Sequence, residues 1–255
     1  MKVASLGSGS KGNATIIEAA DTRILIDCGF GLKDIEQRLK SKGIAPESLS
    51  AILVTHEHGD HLKGAPMLAN RYRIPLWLTH GTARSIKRPV ATLNLFHTGQ
   101  RLSIGALDIQ AVTVPHDCAE PSQFVVRHGG FSVGLLTDIG SITNHVIKEF
   151  HQCDVLLLEF NYDPEMLQNG PYPPSLKRRV SGNFGHLSNH QAVAMLQTVN
   201  RARLRHLLIS HISEQNNDEQ LVREILAPEL TNFDLNVVFL SQQDGCDWIR
   251  LQYVD

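Results

Sequence analysis

Apolar and polar positions along this chain fall into short blocks whose period changes in a regular way. Residues 2–6, 15–18 and 23–27 read as three strands, punctuated by G-S-G-S-K-G-N at 7–13 and A-D-T at 20–22. The chain is therefore expected to open with a β-meander. The period then lengthens, because Leu32, Ile35 and Leu39 recur at helical spacing and Gly43 supplies a stop. An apolar strand at 51–54 follows, then a helix whose first turn holds Pro66 and which carries Met67, Leu68 and Tyr72. Residues 76–78 predict a strand, and 82–88 a short helix ended by Pro89.

Five more short strands are predicted at 93–96, 101–104, 107–114, 124–127 and 131–136, separated by glycine-bearing turns. The second half alternates again. A helix at 144–150 precedes a fully apolar strand at 155–158, and a helix at 189–199 places Ala192, Val193, Leu196 and Val199 on one face. A strand at 206–210 leads to a helix at 219–230 with Leu221, Ile225 and Leu226 inward, and strands at 237–240 and 248–251 close the chain. The alternation predicts an α/β (α+β) architecture with two sheets and helices outside them. Residues 168–184, rich in proline, glycine and basic side chains, read as an irregular segment long enough to be a functional loop. No internal repeat or low-complexity tract interrupts the pattern.

Composition adds limits. With 255 residues and 42% apolar content, a substantial core is available and residues 1–255 are read as one domain. A formal charge of −2 argues against a generally basic nucleic-acid binder, so any grip on a polyanion must be local. Cys28, Cys118, Cys153 and Cys246 are far apart and form no C-x-x-C pair, which fits reduced thiols in a cytoplasmic protein. No apolar run approaches the ~20 residues of a membrane span, and the first residues lack a signal peptide's apolar stretch.

The chemistry concentrates in T-H-E-H-G-D-H at 55–61, directly after the apolar run 51–54. Three imidazoles and a carboxylate at the end of a buried strand are costly unless each finds a partner, and metal ions supply one. His56 and His58 alternate on an extended segment and face the same way, while Asp60 and His61 lie past the Gly59 turn. Two adjacent metal sites sharing one loop is the reading; a polar turn that happens to hold three histidines is the bland alternative. His116, Asp138 and His211 each follow an apolar strand, the position where a rigid scaffold presents functional groups.

This H-x-H-x-D-H pattern resembles the signature of the metallo-β-lactamase-fold hydrolases. The resemblance implies a four-layer αββα sandwich and hydrolysis by a metal-bound hydroxide at two divalent ions, zinc first and manganese or iron next. It assigns His56, His58 and His116 to one ion and Asp60, His61 and His211 to the other, with Asp138 bridging and Asp60 also placed to hydrogen-bond the nucleophile. Asp27, after the third strand, stands where the superfamily has an aspartate that buttresses the metal loop.

Further motifs narrow the branch. L-L-L-E-F-N at 156–161, G-H-L-S-N at 185–189 and S-H-I-S at 210–213 are similar in order and spacing to the E…H-S-T…H-x-S series of the ribonuclease Z group. Carried over, His186 is a candidate general acid beside the leaving oxygen and Glu159 its orienter. A purely structural Glu159–His186 pair stays open. Over nearly the whole chain the motifs resemble the YycJ-type (WalJ-type) bacterial metallohydrolases, which implies a 5′-to-3′ double-stranded DNA exonuclease with a place in DNA repair. No insertion is large enough for a protruding tRNA-binding arm, which disfavours transfer-RNA processing.

Among the basic clusters, Lys177, Arg178 and Arg179 are the preferred phosphate contacts because they lie shortly before His186; ordinary solvated surface is the competing reading. The opening glycine loop lacks the G-K-[ST] ending of a nucleotide-binding loop and reads as turn chemistry that lines the site floor. Two other functions remain: a small-molecule (cyclic) phosphodiesterase or other hydrolase of the same fold, and a non-catalytic metal-binding regulatory module.

Overall fold

The computed structural model describes residues 1–231 and 233–253. Cα packing divides the chain into two compact units, one of Met1–Thr113, Cys118–Phe131 and Leu240–Asp255, the other of Val114–Asp117 and Ser132–Phe239. In chain order the first unit contains β1 (Lys2–Gly7), β2 (Ala14–Ala19), β3 (Thr22–Ile26), α1 (Leu32–Ser41), β4 (Ala51–Leu53), α2 (Gly59–Leu62), α3 (Ala65–Tyr72) and β5 (Leu76–Thr79). It continues with α4 (His80–Ala83), β6 (Leu93–Phe96), β7 (Arg101–Ile104), β8 (Leu107–Thr113) and β9 (Ser122–His128). The second unit holds β10 (Phe131–Leu136), α5 (Asn144–Phe150), β11 (Val155–Glu159), α6 (Pro164–Asn169), α7 (Pro174–Val180), α8 (Asn189–Leu196), β12 (His206–Ser210), α9 (Glu219–Leu230) and β13 (Asn236–Phe239). The chain then returns to the first unit with β14 (Ile249–Arg250).

In the first unit the strands are ordered β14-β1-β2-β3-β4-β5-β6. The meander β1-β2-β3 is antiparallel, and β3 to β6 run parallel. Helices α1 and α3 cover one face, where Ile35, Leu39, Leu68 and Ala69 pack with Leu6, Ile16, Leu25, Ile52, Leu76 and Leu78. Removing such side chains from water stabilises by roughly 1.5–3 kcal/mol each. A separate antiparallel ladder joins β7, β8 and β9. In the second unit β10, β11, β12 and β13 are all parallel. The residues of β10 and β11 are buried throughout, as are four of the five in β12. That is why V-L-L-L and L-L-I read as unbroken apolar runs rather than as alternation.

Three sequence expectations are revised. The helix expected at 82–88 forms over His80–Ala83, because Thr79 accepts from the Thr82 amide and starts it early. Its continuation is only a series of i→i−3 bonds, from Arg84 to Gly81, Ser85 to Thr82 and Ile86 to Ala83. In α9 the buried residues are Val222 and Leu226, while Leu221 and Ile225 are half-buried, so the inward face is turned by one position. Residues 168–184 are not wholly irregular: Pro174 occupies the first turn of α7, where its missing N–H costs nothing. Among the described residues no helix is long and apolar enough to cross a membrane.

Candidate metal centre

Parallel strands end on the same side, so the residues that follow them are gathered without any further device. In the first unit Asp27 follows β3 and the T-H-E-H-G-D-H segment follows β4. Asp27 Oδ1 accepts from the Thr55 amide at 2.8 Å, and Oδ2 lies 2.8 Å from His61 Nδ1. The Thr55 hydroxyl reaches Asp27, and it also stands 3.0 Å from His56 Nδ1. With Nδ1 turned to these partners, the Nε2 atoms of His56 and His61 face the other way. His56 Nε2 approaches His58 Nδ1 to 2.9 Å, and His61 Nε2 lies 3.4 Å from Asp60 Oδ2.

The loop backbone is fixed as firmly as its side chains. The Cys28 amide donates to His61 O, the Gly64 amide to Cys28 O, and the Asn13 amide to Asp60 O. Asn13 Nδ2 also stands 3.1 Å from His61 Nε2 and 3.3 Å from Asp60 Oδ2. The glycine-rich loop therefore ends on the metal-loop residues. Gly29 permits this approach, since a Cβ there would lie 1.8 Å from Asp60 O. Glu57 points elsewhere, its carboxylate accepting from the Ala119 amide and the Thr82 hydroxyl.

In the second unit Asp138 lies just past β10, Glu159 is the last residue of β11, and His211 follows β12. The register pairs Leu136 with Leu158 and Glu159 with Ser210, so adjacent strand ends bring the three together. Asp138 and His211 take left-handed backbone angles, φ 52° and 53°, and Asp27 does the same at 61°. Such angles cost a side-chain-bearing residue free energy and cluster at functional sites. One donor atom each from Asp138, Glu159, His186 and His211 lie within 4.8 Å of one another.

Glu159 is fully buried and organises this group. Its Oε1 accepts from the Leu187 amide at 2.7 Å, and Oε2 accepts from the Asp138 amide. Oε1 is also 3.2 Å from His186 Nδ1, at ion-pair distance. Burial pulls the His186 pKa down, but the Glu159 carboxylate beside it, with Asp138, outweighs this and leaves the value raised above the ordinary 6.5. The backbone around His186 is anchored as well: its amide donates to Val180 O, and Ser188 with Gln191 forms a capping box that starts α8. His116 Nδ1 stands 3.0 Å from Gly185 O, and Asn161 Nδ2 3.0 Å from His211 Nδ1.

Of the basic trio, Lys177 donates to Gln168 O and Arg179 pairs with Asp117, while Arg178 is exposed. Asn13 and Asn161 were not singled out from the sequence as imidazole partners. The only signal was their place, one ending the glycine loop and the other ending L-E-F-N. Thr55 belonged to the motif, but its role in holding two rings did not show in its identity.

Residues 22–212 match the family model described as a beta-lactamase superfamily domain. The chain belongs to the beta-lactamase superfamily. It is 32% identical over 244 residues to the exodeoxyribonuclease WalJ of Streptococcus pneumoniae, covering 92% of this chain and 90% of that relative. It is 30% identical over 223 residues to the exodeoxyribonuclease YycJ of Bacillus anthracis, covering 86% and 84%. Among solved structures, the metallo-β-lactamase-fold protein YhfI from Bacillus subtilis superposes with TM-score 0.73 over 98% of this chain and 99% of its own, at 16% identity. The fold of the superfamily, a mixed α/β arrangement with two sheets flanked by helices, is the fold of this chain. As a metallo-β-lactamase-fold hydrolase it is an enzyme, and superfamily hydrolases bind divalent metals.

The donor set fits such ions. Imidazole nitrogens with carboxylate oxygens suit zinc, manganese and iron. His56 and His58 already bring two ring nitrogens to within 2.9 Å of each other. Glu159 differs from Asp138: both of its oxygens are taken by backbone amides, which suits an orienting role better than ligation.

Proposed function

We propose that the chain is a dinuclear metal-dependent phosphodiesterase that degrades double-stranded DNA from a 5′ end. The observation that carries the reading is the Glu159–His186 pair beside Asp138 and His211. A pure metal-binding module has no use for an imidazole held against a buried carboxylate next to its ligands, whereas departure of an alkoxide requires a proton. The names of the two curated relatives support DNA as the polymer.

In this reading His56, His58 and His116 would hold one ion and Asp60, His61 and His211 the other, with Asp138 available to both. Divalent ions in such a set supply Lewis acidity, lowering the pKa of water toward about 7 and neutralising phosphate charge. The protein's own contribution is orientation and proton movement. Asp27 and Thr55 hold His56 and His61 by their Nδ1 atoms, which leaves Nε2 for ligation. Asp60 accepts a hydrogen bond from the attacking water. Glu159 raises the proton affinity of His186, and His186 delivers a proton to the leaving 3′ oxygen. Arg178 contacts a substrate phosphate, with Lys177 and Arg179 fixing the segment that presents it. The four free thiols fit a reducing compartment, and we place the enzyme in the cytoplasm, acting in DNA repair.

The test uses purified protein with zinc or manganese, incubated with 5′-phosphorylated duplex DNA, single-stranded DNA and bis(p-nitrophenyl) phosphate, beside Asp60→Ala and His186→Ala. Duplex degradation from the 5′ end, lost in both variants, is the expected result. Cleavage of the small ester alone would overturn the nuclease reading, and no turnover of any substrate with metal bound would favour a regulatory module.

A further inference from the structure

Immediately after His61 the first unit opens a shallow cavity of about 350 Å³. Its floor is apolar, formed by Leu62, Pro66, Met67 and Ile86; its edge carries Lys63, Lys87 and Arg88. Met67 is 43% exposed, an unusual position for a methionine on a helix whose other face packs into the core. The three cations are exposed, and among the described residues no carboxylate lies within ion-pair distance of any of them.

We infer that this groove is a binding site for a nucleic-acid strand, extending the reading of the metal centre as a DNA-degrading site, on which it rests. Three unpaired cations around an apolar floor complement a ligand that repeats phosphates and presents sugar and base faces between them. The adaptable, exposed thioether of Met67 in the lining suits contacts that do not depend on sequence. Position argues the same way. Lys63 lies two residues beyond His61, and the Lys63 amide donates to Gly59 O, so the groove starts on the helix that carries Asp60 and His61. A strand held there by its backbone is delivered to the metal loop in a fixed direction.

The experiment measures binding of a fluorescent, cleavage-resistant phosphorothioate duplex to the metal-loaded protein by anisotropy across a salt series. Each phosphate contact contributes about 0.9 to the slope of log affinity against log salt on duplex DNA. The variant Lys63→Ser/Lys87→Ser/Arg88→Ser is expected to lower that slope by 2 to 3, by roughly 0.9 for each of three contacts, and to weaken binding at least tenfold at low salt. Lys87→Glu/Arg88→Glu, which leaves the residue next to the metal loop untouched, gives the same direction should the triple variant fold poorly. Slopes unchanged in both variants overturn the groove and leave the nuclease reading intact. Wild-type binding that the variants weaken, without any DNA cleavage, keeps the groove and removes the nuclease. Capture by phosphatidylglycerol vesicles that the variants abolish, with DNA binding unaffected, also overturns it by assigning the surface to a membrane.

Discussion

Replacing Glu159 with glutamine tests whether one buried carboxylate organises the strand ends of the second unit. The glutamine fills the same volume but offers one acceptor oxygen where the carboxylate offers two. At present Oε1 takes the Leu187 amide at 2.7 Å and Oε2 the Asp138 amide. In Glu159→Gln the NH₂ group must confront one of those donors. A hydrogen bond to a charged acceptor, worth about 1.5–3 kcal/mol, disappears, and a buried N–H is stranded at a further cost of about 1–3 kcal/mol. The cheaper burial of a neutral amide offsets part of this, leaving a net loss of about 3 kcal/mol.

The pH dependence carries a definite sign. The folded pKa of His186 is raised, so its contribution is fully present below the unfolded value near 6.5 and is lost as pH rises through the folded value. Glutamine removes the largest raising influence, so the gap between wild type and variant is widest below about pH 6.5 and narrows above it. Urea unfolding of the metal-free proteins by circular dichroism, repeated across pH 5.5 to 9, measures both effects. A variant within about 0.5 kcal/mol of wild type, or a gap that widens with rising pH, would refute the role given to Glu159.

Other perturbations probe the first unit and the rim of the second. Asp27→Ala should weaken zinc binding about 10–100-fold in chelator competition, because Thr55 and His61 lose the carboxylate that orients them. Asp27→Asn, which tolerates the left-handed backbone, should lose less, and equal affinity in all three proteins would contradict the proposed support. Gly29→Ala drives a methyl against Asp60 O and should cost about 3 kcal/mol or more. That is about 6–12 °C in melting temperature for a chain of this size, and an unchanged melting point would show that the metal loop is not packed as described. Phe184 is 62% exposed two residues before His186. A tryptophan there should be quenched when duplex DNA is added, as stacking on a base requires, and unaltered fluorescence would dismiss that contact.

Which parts of this arrangement could be read from the chain follows from the range of the interactions involved. The strands β10, β11 and β12 were legible because parallel strands buried on both faces must be apolar along their whole length. Residues at their ends were legible for the same reason: a polar side chain directly after such a run has one place to be. Asp138, Glu159 and His211 therefore fall together once the strands are parallel, whatever the loops do. The partners that hold the rings were not legible, because they arrive from loops by long-range contacts. Asn13 reaches His61 across 48 positions and Asn161 reaches His211 across 50, and neither separation leaves a periodic trace. The errors of local structure have local causes. Thr79 moved the start of α4 by capping it, and the prolines that made residues 168–184 look irregular instead begin a helix. Those same prolines and α7 carry Lys177, Arg178 and Arg179 on helical backbone. The presentation of Arg178 is thus set by the helix, and the segment that looked least structured delivers its cation from a defined position.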